Sequence, residues 1–282
     1  MSDPTWRSDI APDMFRPGFL GWLLVAVRGT VLGTLVFGCF GILLLVRLAE
    51  RPLFGRQRPW TPQIVVFVCR NAFRVLGIRL EINGAPVNRP GVIVSNHSSW
   101  LDIFTLNAAG PLYFVAKSEV ARWPGIGWLA RGTGTVFVQR ERREAGNQKT
   151  VFEERLADGH RILFFPEGTS SDGQRVLPFK STLFAALFSD RLPELWVQPV
   201  TVVYHAPQGA DSRYYGWWGS MEFGPHVMKT LGTRRQGKVE VTWHEPLLVT
   251  DFAGRKALAA EAERRVRSVH PQGSAECVDE SG

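Results

Sequence analysis

Residues 29 to 46, GTVLGTLVFGCFGILLLV, run without a charge between Arg28 and Arg47. A membrane-spanning helix needs about 20 apolar residues, with ~17 near the lower limit. FLGWLLVAV at 19 to 27 prolongs the run, with Arg28 as the one interruption. A signal peptide would start basic and end at a small-residue cleavage site. Here residues 1 to 18 carry more Asp than Arg, and no A-x-A follows the run. The pattern therefore predicts a polar segment over 1–18 and retained, membrane-anchoring helices over 19–76, spanning or lying in one leaflet. The far flank holds Arg47, Arg51, Arg56 and Arg58 against Glu50. By the positive-inside rule the chain belongs at an inner (cytoplasmic) membrane, with its main domain on the cytoplasmic side. A second apolar stretch, QIVVFVCRNAFRVLGIRL at 63 to 80, carries a narrow polar stripe of Gln63, Arg70, Asn71 and Arg74. It reads either as a helix on a membrane surface or as a core helix.

From residue 78 the period changes. IRLEI alternates with period two and meets Asn83-Gly84, a turn signal. GVIVS, YFVAK, GTVFVQ, RILFF and VQPVTVVY are short β-branched and aromatic runs, and helical stretches lie between them. In KTVFEERLADG, Phe152 and Leu156 stand four apart and Gly159 is placed to end a helix. Such alternation predicts an α/β domain over 77–270, with a largely parallel or mixed sheet flanked by helices. Pro199 within VQPV implies an edge strand or a bulge. PQGSAECVDESG, 271 to 282, reads as a flexible tail.

Composition narrows the partners. The 282 residues hold 33 Lys and Arg against 26 Asp and Glu, a formal charge of +7. A basic surface suits nucleic acid, anionic lipid or acidic substrates. No nucleic-acid motif appears, so the anchor favours anionic membrane lipid as the partner. The three cysteines have no framework or metal-type spacing, which fits a reducing compartment and gives no metal site.

The chemistry concentrates after two strands. NHSSWLD, 96 to 102, follows GVIVS and sets His97 five positions before Asp102. On one regular helix five residues turn about 500°, so the two side chains would diverge. They meet only if His97 lies in the turn and Asp102 in the first helical turn. There Asp102 can hold the imidazole tautomer and make His97 a general base. Ser99 with Asp102 also fits a capping box. With six His and ten Asp in the chain, about 0.2 such pairs arise by chance, so the pair alone is weak. FFPEGTSSDG, 164 to 173, follows RILFF and offers Glu167, the flexible Gly168, and the hydroxyls of Thr169, Ser170 and Ser171. That set suits a polar head group, or simply a solvated loop. GTVFVQR ends in Arg140, a fork for phosphate or carboxylate. Lys117 and Lys180 read as solvated or ion-paired residues, with acceptor binding as the alternative, and His244 as a strand-end residue rather than a ligand.

Taken together, these stretches carry a resemblance. NHSSWLD resembles the N-H-x4-D motif of the glycerolipid acyltransferases, the lysophosphatidic acid acyltransferase superfamily. GTVFVQR, FPEGTSS and VQPV resemble that family's three further blocks, in the family's order, and the likeness covers roughly residues 75 to 250. FVAKSEVARWPGIGWLAR, 114 to 131, is similar to the segment between the first two blocks. The resemblance implies a glycerol-3-phosphate acyltransferase-like fold. It implies His97 and Asp102 as the catalytic pair, and Arg140, Glu167, Gly168, Thr169 and Ser170 as head-group residues. It implies no metal and no cofactor beyond an acyl thioester donor, either acyl carrier protein or coenzyme A. Ser170 departs from the family, which usually has arginine there. That departure looks like the branch acylating lyso-ornithine lipid, whose head group is an amino acid without phosphate. Lysophosphatidic acid is the alternative acceptor. A metal-dependent hydrolase and a basic membrane scaffold are the competing classes, and neither explains four ordered blocks.

Overall fold

The computed structural model describes residues 6, 17–89, 91–138, 145–188 and 194–272, with 145–149 as backbone only. The tail from 273 and most of the first 18 residues lie outside the described residues, as does Arg140. The sheet holds β1 (Arg79–Asn83), β2 (Gly91–Ser95), β3 (Tyr113–Lys117), β4 (Val136–Val138), β5 (Arg161–Phe164), β6 (Trp196–His205), β7 (Lys238–Trp243) and β8 (Leu247–Leu248). Its order is β1-β7-β6-β2-β5-β3-β4, with β8 beside β6. Pairing is parallel except where β6 meets β7 and β8, so the sheet is mixed, as the pattern predicted.

Period-two alternation builds two cores. On β2, Val92 and Val94 face one side, with Leu156 of α5 (Ala145–Ala157) and Leu258 and Ala262 of α7 (Arg255–Ser268). Ile93 faces the other, with Leu106 of α3 (Asp102–Ala109) and Phe73 of α2 (Thr61–Leu76). All five residues of β2 are buried, which is why GVIVS reads as an unbroken apolar run rather than an alternating one. Gly84, at φ +78°, turns the chain after β1, where a Cβ would come within 2.8 Å of the Trp243 carbonyl oxygen. A helix α4 (Ile126–Thr133) precedes β4, and α6 (Phe223–Gly232) precedes β7.

Pro199 corrects one expectation. It lies in β6, an interior strand between β2 and β7, not at an edge. Along its antiparallel side, β8 pairs through Trp196 and Val197 and β7 begins only at Val200. The missing N–H thus falls in the gap between two partners, where no ladder bond is lost.

The helix α1 (Phe19–Phe54) is the one described helix long and apolar enough to cross a membrane, by length and composition. One of its sides packs on the domain. Arg28 Nη1 donates to the carbonyls of Leu231 and Thr233, and buried Glu50 accepts from the Trp60 and Thr61 N–H groups at the start of α2. The other side leaves Leu20, Leu23, Val31, Phe37 and Leu45 exposed. α2 has Val66, Cys69, Ala72, Phe73 and Leu76 buried, so it is a core helix. Its polar stripe is used locally, with Arg70 donating to the Ala108 carbonyl and Arg74 to Asn71.

Candidate active site

The site forms where three strands end on the same edge of the sheet: β2, β5 and β6, which run parallel. Open sheets place ligands at the carboxyl ends of parallel strands, because loops there can turn inward without breaking ladder bonds. Asn96 locks the loop after β2, since its side chain both donates to the Val202 carbonyl and accepts from the Val202 N–H, each at 2.8 Å. The next residue, His97, has its N–H held by Glu167 Oε1 at 3.0 Å and its carbonyl held by the Ser171 N–H at 2.9 Å. The ring stacks on Phe165 with centroids 4.0 Å apart. The FFPEGTSSDG loop thus grips the backbone on both sides of the imidazole.

His97 Nδ1 stands 2.7 Å from Asp102 Oδ2. The same oxygen accepts the N–H groups of Ser98 at 2.8 Å and Ser99 at 3.0 Å. Asp102 opens α3 and is fully buried. Half of the expected capping box forms, since Asp102 accepts the Ser99 N–H, and the serine half does not. Ser99 does not cap the helix; its Oγ accepts from Leu101 N–H, and the aspartate itself reaches back over the preceding N–H groups. The reason is reach, because the first-turn carboxylate faces the turn that His97 occupies. Asp102 Oδ1 accepts the Tyr204 hydroxyl at 2.7 Å. That hydroxyl also lies 2.8 Å from Thr105 Oγ1. Burial and the Asp102 charge push the Tyr204 phenol well above its ordinary pKa, so it remains a donor.

Four donors converge on one carboxylate. An acceptor so used leaves Nδ1 to carry the imidazole proton, and the lone pair then sits on Nε2. The His97 side chain is 21% exposed, so the ring keeps an open face. Tyr204 was missed in the sequence, because nothing in VQPVTVVY marks one aromatic of a strand as the partner of a residue 102 positions earlier.

Glu167 is 1% exposed. Its Oε1 serves the His97 N–H, and its buried Oε2 has no partner. Burial, with Asp102 close by, pushes this carboxyl well above the ordinary 4.5. The folded state therefore holds a proton that the unfolded chain releases near 4.5. Its stabilising contribution is complete below that value and is lost as pH rises through the folded pKa. Glu167→Gln imitates the protonated form and is expected to lose less melting temperature than the wild type as pH rises above 4.5. Parallel melting curves for the two proteins would sink this account.

Gly168 stands at φ +73°, and a Cβ there would come within 2.8 Å of Lys180 Nζ. Thr169 and Ser170 are half-buried beside it, and the Trp6 N–H donates to Thr169 Oγ1 at 3.3 Å. Asp172, 1% exposed, draws in Arg175 at 3.4 Å and Arg213 at 3.6 Å. His244 lies just past β7, with Nε2 2.8 Å from Thr201 Oγ1, a structural contact as read from the sequence. Among the described residues, no group of three or more His, Cys, Asp or Glu could hold a metal ion.

Comparisons agree with this geometry. A family model described as Acyltransferase matches residues 78–203, which include His97, Asp102 and the Glu167 loop. A lyso-ornithine lipid O-acyltransferase of Rhodobacter capsulatus is 51% identical over 95% of this chain and 98% of its own length. Another from Brucella abortus is 39% identical over 86% of this chain and 94% of its own. The crystal structure of the 1-acyl-sn-glycerophosphate (LPA) acyltransferase PlsC from Thermotoga maritima superposes with a TM-score of 0.60. It covers 92% of this chain and 96% of its own, at 23% identity, a likeness of fold. The chain belongs to the glycerolipid acyltransferase superfamily, in the branch of the lyso-ornithine lipid O-acyltransferases.

Proposed function

We propose that this lysolipid acyltransferase moves a fatty acyl group from an acyl thioester to the hydroxyl of lyso-ornithine lipid, giving ornithine lipid. The observation that carries the chemistry is the 2.7 Å contact of His97 Nδ1 with Asp102, which leaves Nε2 as the base. Nε2 takes the proton of the acceptor hydroxyl as its oxygen attacks the thioester carbonyl. The C–O bond forms, the C–S bond breaks, and the imidazolium returns its proton to the leaving sulfur. Asp102 stabilises that imidazolium. A thioester is already activated, so base assistance of about 10²–10⁴-fold suffices without a covalent acyl-enzyme. Acyl carrier protein or coenzyme A carries the acyl group. No metal takes part.

Thr169 and Ser170 form the head-group side, with Arg140 assigned to the head group from the sequence motif, Gly168 lets the loop turn there, and Glu167 acts by fixing His97. Ser170 stands where the wider family usually places arginine. Beside the loop Arg175, Arg213 and Lys180 stand against the carboxylates of Asp172 and Asp211, leaving about one positive charge, which suits an amino-acid carboxylate better than a phosphate dianion. The names of the relatives at 51% and 39% identity support the same acceptor. The exposed side of α1 rests in lipid of the inner membrane, with residues 77–270 on the cytoplasmic side.

The test offers lyso-ornithine lipid and lysophosphatidic acid side by side, each with labelled acyl carrier protein and acyl coenzyme A. Preference for lyso-ornithine lipid is expected. Equal or greater use of the phosphate acceptor overturns the acceptor assignment. Ser170→Arg is expected to raise the use of lysophosphatidic acid relative to lyso-ornithine lipid about tenfold, the equivalent of one charge-assisted contact of about 1.4 kcal/mol. An unchanged ratio would count against the role of Ser170.

A further inference from the structure

A second polar site lies at the opposite edge of the sheet. An open cleft of about 360 Å³ is lined by Arg58, Tyr113, Asp158, His160 and Arg161, among others. Tyr113 begins β3 and Arg161 begins β5, so the cleft sits at the amino ends of the parallel strands. Arg161 is in register with Gly91, the first residue of β2, and His97 lies beyond the last. Five residues of strand separate the two edges by about 16 Å. The cleft is therefore no part of the acyl-transfer site.

Its charge is unbalanced. Arg47 pairs with Glu50 and Arg56 with Glu154. Among the described residues, no carboxylate forms an ion pair with Arg58, Arg155 or Arg161. All three are half-buried, and burial lowers the pKa of each. Arg155 sits over the Tyr113 ring at 5.7 Å and donates to His160 Nδ1 at 3.4 Å. His160 is 5% exposed. Burial, then the Arg155 charge, lower its pKa to about 4, so the ring is neutral. With Nδ1 accepting, the proton is on Nε2, and this buried N–H has no acceptor. Asp158 Oδ2 is likewise buried without a donor. Arg58 donates to the Gly132 carbonyl at 2.9 Å and Asp158 offsets one charge, so about two uncompensated positive charges and an orphaned N–H remain, a costly arrangement unless an anion completes it.

The cleft also borders the apolar surface. α1 ends at Phe54, and Gln57 and Arg58 are already in the cleft wall. Leu48, Leu53, Phe54 and Trp60 are exposed around this turn. Arginine and tryptophan at the end of an apolar helix mark the level of lipid head groups, where acidic lipids draw basic residues.

We propose that this cleft is a second ligand site that takes a phosphate-class anion, supplied by the head group of an acidic membrane phospholipid. The phosphate oxygens meet Arg58 and Arg161, and Arg155 adds its charge next to them through its contacts with Tyr113 and His160. A small shift of the Tyr113–His160 stack brings the Nε2–H to them, and a head-group hydroxyl serves Asp158. Occupancy fixes the end of α1 against the domain at an acidic membrane.

The test uses the full-length protein in neutral maltoside micelles. Melting temperature is read on titration with dioleoylphosphatidylglycerol, with inorganic phosphate, and with sodium chloride at matched ionic strength. The phospholipid is expected to raise the melting temperature by several degrees, more than phosphate, with no rise from chloride. Arg161→Ala and Arg155→Ala are each expected to weaken the lipid response at least tenfold in concentration, and Arg161→Lys to keep most of it. Every protein is compared with itself with and without ligand, so a lower starting stability does not imitate the loss. A response to phosphate alone would make the occupant a soluble anion and overturn the lipid source. No response, or the same response in both alanine variants, would overturn the site.

Discussion

His97→Ala is expected to lower kcat/KM for acyl transfer by about 10²–10⁴-fold, the range of a positioned base. The substitution removes Nε2, the proposed base. It leaves Glu167 and Ser171 on the backbone of residue 97, because both bond main-chain atoms. The loop should therefore keep its shape. Circular dichroism and a melting curve close to the wild type would accompany the loss. A folded His97→Ala protein with unchanged transferase activity would remove the mechanism.

Asp102→Asn is expected to cost both activity and stability. The carboxylate accepts from His97, Ser98 and Ser99 on one oxygen and from Tyr204 on the other. An amide has one acceptor oxygen. If the oxygen stays toward Ser98 and Ser99, the NH2 group meets the Tyr204 hydroxyl, and the imidazolium formed during reaction loses its counter-charge. If it turns, two buried N–H groups and Nδ1–H face another donor. In the first case Tyr204 can accept from the NH2 group while donating to Thr105 Oγ1, so the loss is that of charge-assisted bonds; the second leaves buried donors unsatisfied, at about 1–3 kcal/mol each. A fall in kcat of about 10²-fold or more, with a lower melting temperature, is expected. Tyr204→Phe removes only one of the four donors, so its loss of activity should be much smaller, and Thr105 loses its hydroxyl partner with it. Equal losses in Asp102→Asn and Tyr204→Phe would mean that Tyr204 does more than hold the carboxylate.

Strands were the most legible part of the fold. GVIVS and YFVAK match β2 and β3 residue for residue, because short β-branched runs bounded by turn residues have few other uses. The proximity of His97 and Asp102 was legible too, since helix geometry allowed one arrangement in which they meet. The edge reading of Pro199 failed, because its tolerance depends on where β7 ends and β8 begins, and both lie more than 40 residues downstream. Glu167 looked like a ligand of the acceptor, but a carboxylate in a loop is drawn inward when a backbone N–H has no other partner. That partner, the His97 N–H, is 70 residues away.

By itself the sequence determined the local elements: a long apolar helix, the alternating α/β domain, and a histidine–aspartate pair at a strand's end. These follow from short-range rules of period, capping and hydropathy. Tertiary structure decided which donors meet which acceptors. It brought Tyr204 to Asp102, Glu167 to the His97 backbone, and Arg58 and Arg161 from separate segments to one cleft at the far edge of the sheet. Such contacts depend on strand order, and strand order is settled by burying two faces of one sheet, a property of the whole chain.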